Sequence, residues 1–276
     1  MLNTLSQMLS YPFFVRALIV GCLVSLCAAL LGTSLVLKRY SMIGDGLSHV
    51  GFGALAVATA FNAAPLAVAV PVVVAAAFLL LRISKNSMIK GDAAIAMISS
   101  GALAIGVIVI SLTTGMNTDV SNYMFGSILS LSRSDAVLSV VLSVCVLLLF
   151  ILFYPRIFAV TFDETFARAT GTKANLFNML IALLTAITVV LGMRMMGALL
   201  ISSLIIFPPL SAMRVCRTFR SVVLCSAVTA VACFILGMAA SYGWELPSGP
   251  AVVAVNIVAF GAFSLAGHLK GRKIIQ

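Results

Sequence analysis

The chain has 276 residues, 62% of them hydrophobic and 9% charged, with a mean hydropathy of +1.21 and a formal charge of +10. A soluble globular chain carries about 25% charged residues, and a soluble domain of this length cannot hide so much apolar surface from water. Secreted enzymes, nucleic-acid binders and disordered scaffolds are thereby excluded, which leaves an all-α polytopic membrane protein.

A helix needs about 20 apolar residues to cross the hydrocarbon. Cutting the chain at charges, prolines and glycine clusters predicts nine spans: 17–37, 43–62, 66–83, 92–113, 135–155, 175–193, 195–213, 221–243 and 250–269. The first, Ala17 to Leu37, is uncharged and too long for a signal-peptide core, so it is expected to be a retained span. An N-terminus outside places 14 of the 17 basic residues in the cytoplasm, leaving only Arg16, Arg133 and Arg194 external. The excess of Lys and Arg in cytoplasmic loops therefore predicts N-out and C-in.

The second span opens with IGDGLSHVGFGA, residues 43–54. Asp45 and His49 stand four apart and share one helix face. A carboxylate oxygen and an imidazole nitrogen suit a divalent transition ion, while a helix–helix hydrogen bond or an N-cap at Asp45 would use the same residues. Gly44, Gly46, Gly51 and Gly53 allow close approach by a neighbouring helix or a permeating ion. Farther on, VSNYMFGSILSL at 120–131 is apolar but too short to cross, and reads as a re-entrant or interfacial helix.

Thr161 to Asn175, TFDETFARATGTKAN, is the one extended hydrophilic segment on the cytoplasmic side. Thr161 and Asp163 are candidate caps for a short helix, Asp163 and Glu164 lie near its positive end, and Gly171 is its expected stop. The span GALLISSLIIFPPLSAMR (197–214) contains Pro208 and Pro209, which predict a kink or break, with Ser202, Ser203 and Ser211 available to the freed carbonyls. Only Arg194 separates this span from the one before it. On the outer side, Asp119 and Glu245 are candidate docking acids, accompanied by Asp135. The six cysteines lie in or beside apolar runs without CxxC spacing, so they read as small buried side chains. His268, beside the basic tail, reads as interfacial.

No GxxxxGK[ST] loop, HExxH or GxSxG is present, and no second intramembrane Asp accompanies Asp45 to make an aspartyl protease pair. An enzyme is not expected.

The stretches YPFFVRALIVG, LKRYSMIGDGLSHVGFGALA and TDVSNYMFGSIL, the Pro-Pro span and SGPAVV, in this order, resemble the membrane subunit of bacterial ABC importers for zinc, manganese or iron. The resemblance covers nearly the whole chain and implies a homodimeric permease in the cell membrane. Its implied partners are two cytoplasmic ATPase subunits and an external metal-binding solute-binding protein, with no resident cofactor and a divalent metal as cargo. It also implies that 161–173, with Asp163, Glu164, Ala167, Arg168 and Gly171, meets the ATPase, and that Asp45 and His49 lie on the metal path. SGPAVV and YMFGSIL are similar to zinc-type members, which makes zinc the expected metal. Some zinc permeases carry a His in the fourth span where this chain has Ser99 and Ser100, so manganese and iron stay open. A proton-coupled secondary transporter, with Asp45 and His49 as a relay, is the competing class.

Overall fold

Inside a bilayer every backbone N–H and C=O must find its partner within the protein, and a helix does so within a single segment. The computed structural model describes residues 12–86, 91–113 and 133–269; these form eleven α-helices and no strand. In chain order they are α1 (Pro12–Leu37), α2 (Ile43–Ala60), α3 (Pro65–Asn86), α4 (Gly91–Thr113), α5 (Arg133–Leu152), α6 (Tyr154–Phe162), α7 (Glu164–Ala169), α8 (Ala174–Met196), α9 (Ala198–Val215), α10 (Phe219–Trp244) and α11 (Ser248–Leu269). Eight of these are long and apolar enough to cross a membrane. The ninth expected span, α2, is helical too, but Asp45, His49 and its glycines lower its apolarity. It compensates by burial: most of its residues, from Ile43 to Ala58, are shielded by other helices.

The helices sort by how much lipid-compatible surface they keep. Among the eight, α1 and α8 are the most enclosed, α9 and α10 follow, and α11 is the least covered. The central α1, α8 and α9 pack against one another; α2, α3 and α4 lie on one side of them, and α10 and α11 on the other. One continuous core joins them, with Phe150, Phe234, Leu31, Leu47, Leu55, Met193, Leu200 and Ile201 fully enclosed. Outward-facing Val137, Leu148, Val258 and Leu265 present the apolar surface that hydrocarbon requires.

Three expectations from the sequence are corrected here. The division between the sixth and seventh spans falls at Gly197, not at Arg194, which sits in the last turn of α8. Gly197 has φ +86° and ψ 158°, a backbone state essentially reserved for glycine. Secondly, α9 is continuous through Pro208 and Pro209, so they do not break it. Its first half is already helical, and each proline removes one rung, freeing the carbonyls of Leu204 and Ile205. Thirdly, the serines do not serve those carbonyls: Ser202 donates to Ala198 O, Ser203 to Leu200 O and Ser211 to Phe207 O. The Ile205 oxygen instead lies against α1 at Gly32, where a Cβ would stand 2.1 Å from it. The 120–131 segment and Asp119 lie outside the described residues.

The α2 glycines resolve in favour of neighbouring helices: Gly44 faces Ile205, Gly46 faces Ile95, Gly51 faces Met193 and Gly53 faces the Ala102 carbonyl. A Cβ at Gly53 would stand 2.6 Å from that backbone oxygen, which cannot yield as a side chain would. Gly53→Val should force α2 and α4 apart and cost about 1–3 kcal/mol. It would be read as a lower unfolding temperature in detergent. Gly101→Ala, inside α4 where nothing lies within 4 Å, should hold or slightly raise that temperature.

Candidate functional site

α2 starts without a side-chain cap; Met42 occupies the N-cap position, which assigns Asp45 to the third helical residue. A carboxylate there is favoured by the positive end of the helix dipole. One turn on, His49 brings its Nε2 to 3.6 Å from Asp45 Oδ2. That is too long for a hydrogen bond, so the pair faces each other without closing on itself. Asp45 is not a cap either: its own carbonyl accepts the Ser48 hydroxyl at 2.7 Å.

The second carboxylate oxygen is engaged from another helix. Ser202 Oγ, in the second turn of α9, lies 3.2 Å from Asp45 Oδ1 and also donates to Ala198 O at 3.0 Å. Ser202 thus fixes one edge of the carboxylate and leaves Oδ2 turned toward the imidazole. The Asp45 side chain is 43% exposed and that of His49 25%, so the pair opens onto the surface of the single chain. Two ligand atoms 2.0–2.2 Å from a tetrahedral ion stand about 3.4 Å apart, whereas neighbouring ligands of an octahedral ion at 2.0–2.1 Å stand about 3 Å apart. The observed 3.6 Å is nearer the tetrahedral edge. Among the described residues no group of three or more His, Cys, Asp or Glu converges. The pair alone offers two candidate ligand atoms, fewer than a transition ion takes, so any ion there would need water or further groups to complete its shell. Ser99 and Ser100 on α4 supply no such group; Ser99 turns its hydroxyl back to Ala96 O.

At the other end of the chain's polar inventory, Asp163 accepts Phe166 N–H at 2.9 Å and caps α7. Thr161 is not a cap. It belongs to α6, where its hydroxyl returns to Ile157 O at 2.7 Å. Gly171 is the stop: with φ +83° it donates to Arg168 O at 3.0 Å, and Thr172 donates to Ala167 O at 2.9 Å, the paired bonds of a Schellman ending. Ala167 is fully buried with Val160, Ala174 and Phe177 in a small separate core. Glu164 receives Arg168 Nη2 at 2.5 Å and Asn178 Nδ2 at 2.9 Å, with Lys38 Nζ at 3.9 Å. The result is a rigid knob on α8. Sequence reasoning missed its apolar face: Phe162 and Phe166 are both more than 60% exposed, and Phe162 lies against the tilted rings of Phe158 and Phe219.

At the end of α10, Glu245 is exposed and left-handed (φ 53°), flanked by exposed Trp244. Asp135 is not a free docking acid: its Oδ2 takes Arg194 Nη2 at 2.8 Å, tying α5 to the end of α8.

The profile of the ABC 3 transport family matches residues 10–266. The chain is 29% identical over 260 residues to the manganese transport system membrane protein MntC of Halalkalibacterium halodurans, covering 94% of this chain and 88% of the relative. It is 28% identical over 244 residues to the high-affinity zinc uptake system membrane protein ZnuB of Haemophilus influenzae, covering 88% and 94%. Among solved structures, PsaBC from Streptococcus pneumoniae, in complex with Fab, superposes with a TM-score of 0.86 at 26% identity, over 97% of this chain and 99% of that one.

The Asp163 cap yields a local prediction. Asp163→Ala should weaken α7 by about 1 kcal/mol, seen as roughly fivefold faster hydrogen exchange at the Phe166 amide. Thr161→Val should leave that amide unchanged.

Proposed function

Because this chain belongs to the ABC 3 transport family, we propose that it is the membrane subunit of an ATP-driven importer of divalent transition metals, with zinc as its cargo. It is a multi-span permease of the bacterial cell membrane and not itself an ATPase; hydrolysis belongs to a separate subunit. The observation that carries the metal reading is the Asp45–His49 pair, 3.6 Å apart and not bonded to each other, with Ser202 steering the carboxylate. An ionisable pair within a membrane bundle marks a path for ions. A carboxylate 43% exposed on one chain needs a wet or protein-lined surface opposite it, which supports a second copy closing a shared cavity around it.

The ion enters from outside, where Glu245, with Asp119, receives the solute-binding protein. It passes Asp45 and His49 in a shallow well, since tight holding would prevent release. Two ATPase subunits grip the α6–α7 knob, with Phe162 and Phe166 giving them an apolar anchor. Their closure turns the site toward the cytoplasm. The N-out, C-in orientation agrees with the clustering of Arg214, Arg217 and Arg220 at the α9–α10 turn.

Zinc is supported by the imidazole and by the relative named for zinc uptake. Manganese is the second reading, supported by the relative named for manganese transport and by the affinity of carboxylates for that ion. With the complete complex in liposomes, radioactive zinc and manganese offered at equal concentration separate the two: zinc should accumulate and manganese should not compete.

Asp45→Ala and His49→Ala should each abolish ATP-dependent accumulation while the ATPase still co-purifies. Normal uptake by both variants would remove the pair from the path. Ser202→Ala leaves both ligand atoms in place but loosens the carboxylate, so metal affinity should fall about 10- to 100-fold, measured as a raised half-saturation of uptake.

A further inference from the structure

Glu164 reaches from the knob to two places at once, the start of α8 and the residue that follows α1. Its Oε2 accepts Asn178 Nδ2 at 2.9 Å on α8, and Lys38 Nζ stands 3.9 Å from the same oxygen. Lys38 also donates to Asn178 Oδ1, which closes a three-membered ring of polar contacts. The Lys38 side chain is only 11% exposed, so an ammonium has been drawn out of water to make this ring.

Each arm of the ring leads to the same carboxylate. Lys38 ends α1; Arg39 then takes the left-handed conformation at φ 60°, costly for a residue with a Cβ, and α2 with Asp45 begins four residues later. The strained turn is held by Arg39 N–H to Val36 O at 3.0 Å and Tyr40 N–H to Leu35 O at 2.9 Å, so it passes on displacement instead of absorbing it. Along the other arm, α8 runs from Asn178 to Gly197, where the chain reverses into α9 and Ser202 meets Asp45 Oδ1. One arm moves the carboxylate and the other moves the hydroxyl that orients it.

We propose that the Lys38–Glu164–Asn178 ring is the link through which movement of the α7 knob reaches the metal pair, with Lys38 and Asn178 as positioning residues for transport. A shift of α7 against α8 changes the spacing of the ring and thereby turns Asp45 Oδ2 relative to His49 Nε2. The inference rests on the proposed importer reading, since it assumes that a partner moves the knob.

The test uses the intact permease–ATPase complex in liposomes with its solute-binding protein supplied on the outer side, comparing wild type with K38M, K38Q, K38R, N178A and the K38M/N178A double variant. For each, ATPase co-purification, basal ATP hydrolysis and zinc accumulated per ATP are measured. The ring predicts that K38M, K38Q and N178A assemble and keep wild-type basal hydrolysis. The metal-to-ATP ratio should fall about two- to thirty-fold, with the double variant no worse than the more affected single one and K38R close to wild type. K38Q retains a donor without the charge, which keeps the test decisive should K38M fail to reach the membrane. An unchanged ratio overturns the link, as does a proportional fall of hydrolysis and accumulation together, which marks a merely structural role. Absence of ATP-dependent accumulation in the wild type overturns the importer reading itself and this inference with it.

Discussion

A carboxylate carried into a bilayer must meet compensating dipoles, a cation or water, because lipid offers it nothing. Asp45 has three such compensations within reach: the N-terminal dipole of α2, the Ser202 hydroxyl and the His49 imidazole. Meeting this demand shapes the surrounding fold. α2 is too polar to face lipid and is walled in by α3, α4, α8 and α9, and close packing there consumes its glycines. The helices that wall it in carry the lipid-facing surface in its place.

A second polar centre lies where the short helix α7 meets the start of α8. Around Glu164, a cap, a Schellman ending and a small apolar core fix a six-residue helix that would not persist alone. The two centres differ in kind. The one at Glu164 is filled with hydrogen-bond partners, whereas the one at Asp45 leaves Oδ2 and Nε2 facing each other at 3.6 Å without a hydrogen bond.

Periodicity and charge made the helices legible, because a 20-residue apolar run in a chain of this hydropathy has few alternatives. The Asp45–His49 pairing was legible for the same reason, since i to i+4 geometry is local. Ser202 was visible as a polar residue, but its contact with Asp45 spans 157 positions and depends on how α2 and α9 cross. The boundary at Gly197 was missed because Arg194 offered a charge where spans usually end, and only the backbone angle shows why the chain turns three residues later. Thr161 and Asp163 were equal as caps in sequence; the helix start decides between them. Phe162 and Phe166 gave no signal at all, as apolar residues in a membrane protein are unremarked until their exposure is seen.

Two successive carbonyls in the middle of α9, those of Leu204 and Ile205, have lost their rungs to proline. Bending the helix at that point ruptures fewer backbone hydrogen bonds than elsewhere in α9, because two of those that span it are already missing. The segment carrying Ser202 and the segment ending at Cys216 are therefore mechanically separable. Ser202 is able to stay on Asp45 while the part of α9 beyond the prolines bends, which gives the helix a built-in elbow.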